Sequence, residues 1–120
     1  MRTGGSRQVH ELRLDGVPVA DIEVASTFSR RFRGLMLRRR LPDGLLLVPE
    51  RSVHGMWMRE ALDVASVDAD GTVLAVGVLH PWRVSPNVPG THQVLESPVG
   101  RFAAWGLRVG SRVEVVPPVR

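Results

Sequence analysis

Of three Asp-Gly pairs, Asp15-Gly16 and Asp70-Gly71 each stand between apolar runs, while Pro42-Asp43-Gly44 reads as a turn, and the first two constrain this chain more than any other feature. An Asp-Gly dipeptide accepts the positive φ angles of a tight two-residue turn, so each of those two predicts an antiparallel hairpin. Around the first, 9–14 and 17–24 form the arms, with Leu14 opposite Val17 and Leu12 opposite Val19 on one face. Pro18 then faces Arg13 in a pair that exchanges no hydrogen bonds, where a missing N–H costs the ladder nothing. Ile22 and Val24 fall on the other face, so either a bulge intervenes or that strand end is covered on both sides. Around the second turn, Val67 faces Leu74, Ala65 faces Val76 and Asp63 faces Val78. Both faces of 73–79 are apolar, which predicts a central strand rather than an edge.

The remaining segments are equally short. Residues 1–8 are polar and read as a flexible terminus, leaving 9–120 as one β-rich domain. Ser26-Thr27 caps a two-turn helix carrying Phe28, Phe32 and Leu35 or Met36, with Gly34 as its stop. Leu45 to Val48 is a buried strand and His54 to Arg59 alternates with period two. Pro81 to Thr91, with three prolines and a glycine, reads as a long ordered loop of the kind that often carries function. After a strand at 92–96, Ser97 and Pro98 are expected to open a second helix, with Val99, Phe102 and Ala103 inward and Gly106 as its stop. Arg112 to Val116 is the last strand. About eight short strands and two short helices predict a mainly β fold, a compact sandwich or barrel.

Composition narrows the chemistry. The absence of cysteine in 120 residues excludes disulfides, thiolate metal sites and a cysteine nucleophile. No apolar run approaches the roughly 18–20 residues of a membrane span, and Met1-Arg2-Thr3-Gly4-Gly5 begins no signal peptide. The expectation is therefore a soluble cytoplasmic protein. All sixteen basic side chains are arginine, with no lysine or tyrosine, so the high pI is inflated and the net charge of +4 is the useful figure. Eleven of those arginines, against seven acids, lie in the first sixty residues, chiefly Arg30, Arg31, Arg33, Arg38, Arg39 and Arg40. That cluster is either a solvated face or a patch for an anion, a nucleic acid or a protein partner. Nucleic acid is disfavoured, because the only aromatics interleaved there are Phe28 and Phe32, which read as core. His10, His54, His80 and His92 show neither H-x-H nor H-E-x-x-H spacing, so no metal and no cofactor is expected. G-x-S-x-G, P-loop and G-x-G-x-x-G patterns are also missing.

Asp63 is the most informative single residue. The register above sends it to the core side among five apolar neighbours, and an isolated buried charge there is too costly. It is either held by backbone N–H groups or an arginine, or it serves binding or catalysis. Trp57 and Arg59 share one face of their strand, either as a cation–π contact within the fold or as a platform for a flat or anionic ligand. Trp82, opening the proline loop, is placed to close over such a platform. Trp57, Arg59, Asp63, Trp82 and Glu96 are the candidate pocket.

Several ordered segments are similar to the family called domain of unknown function 192. They are Arg33-Gly34-Leu35-Met36-Leu37-Arg38, Leu41 with Gly44-Leu45-Leu46-Leu47-Val48, Trp57-Met58, Leu62-Asp63, Asp68 and Gly71. The set finishes with Val94-Leu95-Glu96-Ser97-Pro98-Val99-Gly100 and Gly106-Leu107-Arg108-Val109-Gly110. The resemblance implies a compact β-rich fold of jelly-roll type and implies no reaction. The chain departs from the family's Phe-Trp-Met-Lys-Asn-Thr with Met56-Trp57-Met58-Arg59-Glu60-Ala61, losing an amide and a hydroxyl. It carries Val64-Ala65-Ser66-Val67 where the family tends to bulky apolar residues, and Ser111 in the place of an aspartate. The leading expectation is a binding module for a small anionic ligand or a protein partner, rather than an enzyme. The alternatives are a small enzyme using Asp63 with Arg59 as anion anchor, and nucleic-acid association through residues 30–40.

Overall fold

Asp15 and Gly16 do turn the chain in two residues, with φ angles of 52° and 85° that only a primed turn uses. The structure, a computed structural model, describes residues 8–25, 43–49 and 60–117. The turn joins β1 (Gln8–Leu14) to β2 (Val17–Ala25), pairing Leu14 with Val17 and Arg13 with Pro18. A register shift then sets Leu12 against Ala20 and His10 against Ile22. The bulge rotates Ile22 onto the face of Leu12 and Leu14, and all three are buried. Of the two arrangements open in the sequence, the bulge is the one realised.

The second hairpin, β4 (Leu62–Val67) with β5 (Val73–Leu79), reaches the expected register by a different route. Its turn is not two residues long. The Asp68 N–H donates to the Thr72 carbonyl at 2.9 Å, and the Asp68 carboxylate accepts the N–H groups of Asp70 and Thr72, each at 2.9 Å. Val67 therefore pairs with Val73, not with Leu74. A bulge between Val73 and Ala75 adds the missing step, so Ala65 still meets Val76 and Asp63 still meets Val78.

With β3 (Leu45–Leu47), β6 (Gln93–Pro98) and β7 (Val113–Val116), the described residues form one seven-stranded sheet in the order β5-β4-β6-β3-β2-β1-β7. Every pairing is antiparallel except β2 with β3. Of the eight expected strands, seven are present, and the eighth at 54–59 lies outside the described residues, as does the expected helix after Thr27. Both faces of the sheet's middle are covered. Leu46, Ala65, Val67 and Leu95 join the larger core with Leu12 and Phe102, while Leu45, Leu62, Val64 and Val94 form a second core on the reverse side. Consequently β4 is buried along its whole length despite Asp63 and Ser66. The apolar β5, expected to be central, stands at the edge of the sheet among the described residues, with Val76, Gly77 and Val78 exposed.

Ser97 does not cap a helix. It belongs to β6, is fully buried, and its hydroxyl donates to the Asp43 carbonyl. The helix α1 (Arg101–Trp105) starts later, buries only Phe102, and ends at Gly106 as expected. Val99 and Ala103, expected inward, are exposed.

At one end the two sheet edges touch. An isolated bridge joins Thr72 to Arg112, the Val73 N–H donates to the Ser111 carbonyl at 2.9 Å, and the Val113 N–H to that of Gly71 at 2.6 Å. The Asp15 carboxylate accepts the Arg112 N–H at 3.0 Å, tying in the first turn. Gly71 makes this contact with φ +97°, and a β-carbon there would collide with the Val113 carbonyl. At the other end the edges part, so the sheet is not closed. No helix among the described residues is long and apolar enough to cross a membrane.

Candidate functional site

Strand pairing decides which expected site residues can meet. Asp63 pairs with Ser97, whereas Glu96 pairs with Val64, so the two carboxylates point to opposite faces of the sheet and do not converge on one cavity. Asp63 is buried, and its Oδ2 accepts the N–H groups of Gly100 at 3.0 Å and Phe102 at 3.2 Å. These amides lead into the first turn of α1, which has no side-chain cap of its own from Gly100. The carboxylate thus satisfies donors that the helix cannot satisfy internally. Of the readings open for Asp63, the geometry matches the one in which backbone amides hold it. Trp82 is 59% exposed and carries φ 66°, a conformation rare for a bulky residue. Trp57, Arg59 and the cluster Arg30, Arg31, Arg33, Arg38, Arg39 and Arg40 lie outside the described residues.

The structure instead opens a cavity of about 640 Å³ between the second-core side of β4 and β5 and the loop 80–88. Its origin is the register. Ser66 faces Ala75 and Val64 faces Gly77, so the two smallest side chains of β5 stand together on one face. A β-carbon placed on Gly77 would touch nothing within 4 Å. The chain leaves β5 at Leu79, turns through 80–83, and runs back along the strand as the roof. The turn is closed by the Arg83 N–H donating to the His80 carbonyl at 3.2 Å. The return is anchored where the His92 N–H donates to the Val67 carbonyl at 2.9 Å, and the Thr91 hydroxyl fixes the Val88 carbonyl at 2.7 Å. The volume lies within the range of small-molecule sites.

Most of the cavity wall is apolar, from Val64, Leu79, Pro86 and Val88. Ser66 is the exception on its floor. Its residue is 7% exposed, and its hydroxyl makes no hydrogen bond among the described residues. The other buried hydroxyls differ: Thr91 and Ser97 donate to carbonyls, and Ser111 accepts the Arg108 N–H at 3.0 Å. That last bond is one an aspartate carboxylate could accept equally, so the departure at Ser111 is a matter of turn structure. Arg83 and His80 stand at the mouth, and among the described residues Arg83 forms no ion pair. Ser66, Ala75, Gly77 and Arg83 were not among the residues expected from sequence. The available signal was the run Val64-Ala65-Ser66-Val67, small and polar where bulky apolar residues are usual. No group of three or more His, Asp or Glu side chains among the described residues could hold a metal ion.

The family model for DUF192, described as an uncharacterised ACR, matches residues 10–115. A UPF0127 protein of Pyrococcus furiosus is 35% identical over 100 residues, covering 78% of this chain and 85% of that protein. One from Pyrococcus abyssi is 32% identical over 98 residues, covering 78% and 84%. A protein of unknown function from Novosphingobium aromaticivorans, known from its crystal structure, shares the fold with a TM-score of 0.78. Its identity is 24%, over 95% of this chain and 90% of that one.

Proposed function

The chain belongs to the DUF192 family, for which no activity is established, and from that premise we propose that it is a small-ligand-binding module rather than an enzyme. Its binding seat is the cavity between β4, β5 and the loop 80–88. The observation that carries the reading is the Ser66 hydroxyl, without a partner among the described residues, on the floor of a mostly apolar space. A buried hydroxyl without a partner is costly to a fold, by about 1–3 kcal/mol, and a bound ligand atom removes that cost. The enzymatic reading of Asp63 gains no support, because its carboxylate accepts two backbone N–H groups at the start of α1 and Asp63 is not part of the cavity wall. Residues 30–40, Trp57 and Arg59 carry no part of the proposal.

The test is a small-molecule screen read by thermal shift and tryptophan fluorescence, run on the full chain and on Gly77→Val. A ligand at a hundredfold its Kd adds about 2.7 kcal/mol to the stability of the native chain. A β-carbon at Gly77 meets no neighbour within 4 Å and the valine branches narrow the cavity beside it, so the variant is expected to fold and to lose the shift. A screen with no compound that separates the two proteins would defeat the proposal.

A further inference from the structure

The two ends of the cavity differ chemically, and the strand measures the distance between them. Ala75, opposite Ser66, and Leu79, where β5 ends, are four residues apart. At the strand rise this is about 13 Å. Ser66 therefore offers a buried hydroxyl at one end, while His80 and Arg83 offer an imidazole and a guanidinium with no ion pair among the described residues at the other. Between them the wall consists of Gly77 and mostly apolar side chains, with Ser85 on the roof as the one further polar side chain. The roof adds a further restriction. Pro81 and Pro86 lack an N–H, so these positions cannot extend a ladder along a peptide, whereas a hydrocarbon asks for no hydrogen bond.

We infer that the cavity binds an extended amphipathic monocarboxylate, with its carboxylate at Arg83 and His80 and its alkyl chain lying over Gly77 and Ala75 toward Ser66. One guanidinium with one imidazole suits a single negative charge, and the planar fork of arginine matches a carboxylate in a bidentate pair. A saturated chain of roughly ten carbons spans the strand distance at ordinary bond lengths. A hydroxyl on the far carbon meets the Ser66 hydroxyl and supplies its missing partner. The inference rests on the reading of this cavity as the binding seat and names the chemistry of its occupant.

Isothermal titration of the full chain with decanoate, decanamide and ω-hydroxydecanoate tests it. Decanoate is expected to bind one to one, with decanamide about tenfold weaker for want of the charge. Arg83→Ala brings decanoate down to the level of decanamide and leaves decanamide unchanged. The ω-hydroxyl improves on decanoate about fivefold, and Ser66→Ala erases that gain alone. Gly77→Val abolishes all three. Equal binding of decanoate and decanamide, both blocked by Gly77→Val, overturns the ligand class and leaves the cavity reading intact. So does silence from all three probes when some other compound binds in a Gly77-sensitive way. Binding that Gly77→Val does not affect places the ligand elsewhere and overturns both.

Discussion

The two halves of β5 are one strand with opposite fates. At its start the backbone is engaged on both sides, by β4 and by the turn at Gly110-Ser111, where Val73 both donates and accepts. Toward its end the strand is paired, among the described residues, on one side only, and Val76, Gly77 and Val78 reach solvent. An apolar edge of this kind is usually blunted by charge, proline or a cover. Here the nearest cover among the described residues is the proline loop, which stands off far enough to leave a cavity. The difference teaches that burial in this molecule is set by where the sheet edges meet, and not by how apolar a strand is.

Substitutions at the two ends should therefore differ in sign as well as size. Gly71→Val carries the largest expected effect, a loss of about 3–4 kcal/mol in urea unfolding. It combines a left-handed backbone angle with a collision against backbone at the joint. Asp63→Ala comes next, costing about 2–3 kcal/mol, because two amides lose their acceptor in a buried place. Asp63 sits level with the open end of β5, so this result separates the strand's exposed edge from its well-bonded neighbour. A loss below about 0.5 kcal/mol would show that the helix start is solvated and that β4 is less committed than its burial implies.

Ser66→Ala is expected to stabilise the free protein by about 1 kcal/mol, by deleting a buried hydroxyl that has no partner among the described residues. A destabilisation would mean that the hydroxyl is already satisfied. Gly77→Val should add a few tenths to about 1 kcal/mol, through β propensity and a less flexible unfolded chain. Least of all, Glu11→Gln should leave unfolding unchanged. Its carboxylate lies 2.5 Å from the exposed Arg13 guanidinium and raises the pKa of that group, whose charge is present at every working pH.

Much of the hairpin geometry was readable from Asp-Gly and alternation. Leu14 opposite Val17 and Arg13 opposite Pro18 follow from turn length alone. Beyond the first two pairs a bulge is needed, and no single residue announces it; only the stranded Ile22 and Val24 pointed that way. The inward direction of Asp63 came out right although its turn has an extra residue, because the bulge at Leu74 restored the parity. Ser97-Pro98 carried a sound helix-cap signal that tertiary structure overrode. Strand pairing with β4 and the Asp43 carbonyl took Ser97, and a carboxylate from another strand took over the helix start. The apolar run at 73–79 could not reveal its edge position, since periodicity reports faces and says nothing of neighbours. The cavity was hidden for a related reason. It is made by what Ala75 and Gly77 lack, and a pattern search scores what is present.

The joint between Gly71, Asp15 and Arg112 also sets an order in time. β7, the last strand, pairs with β1, the first, and its leading residues hold the turn of β4 and β5. During synthesis the early hairpin must wait, with one long edge unsatisfied, until residues 113–116 leave the ribosome. Loss of a few residues from the C-terminal strand would strand both hairpins at once, so a nascent chain halted near Gly110 is the species most open to chaperones and proteases.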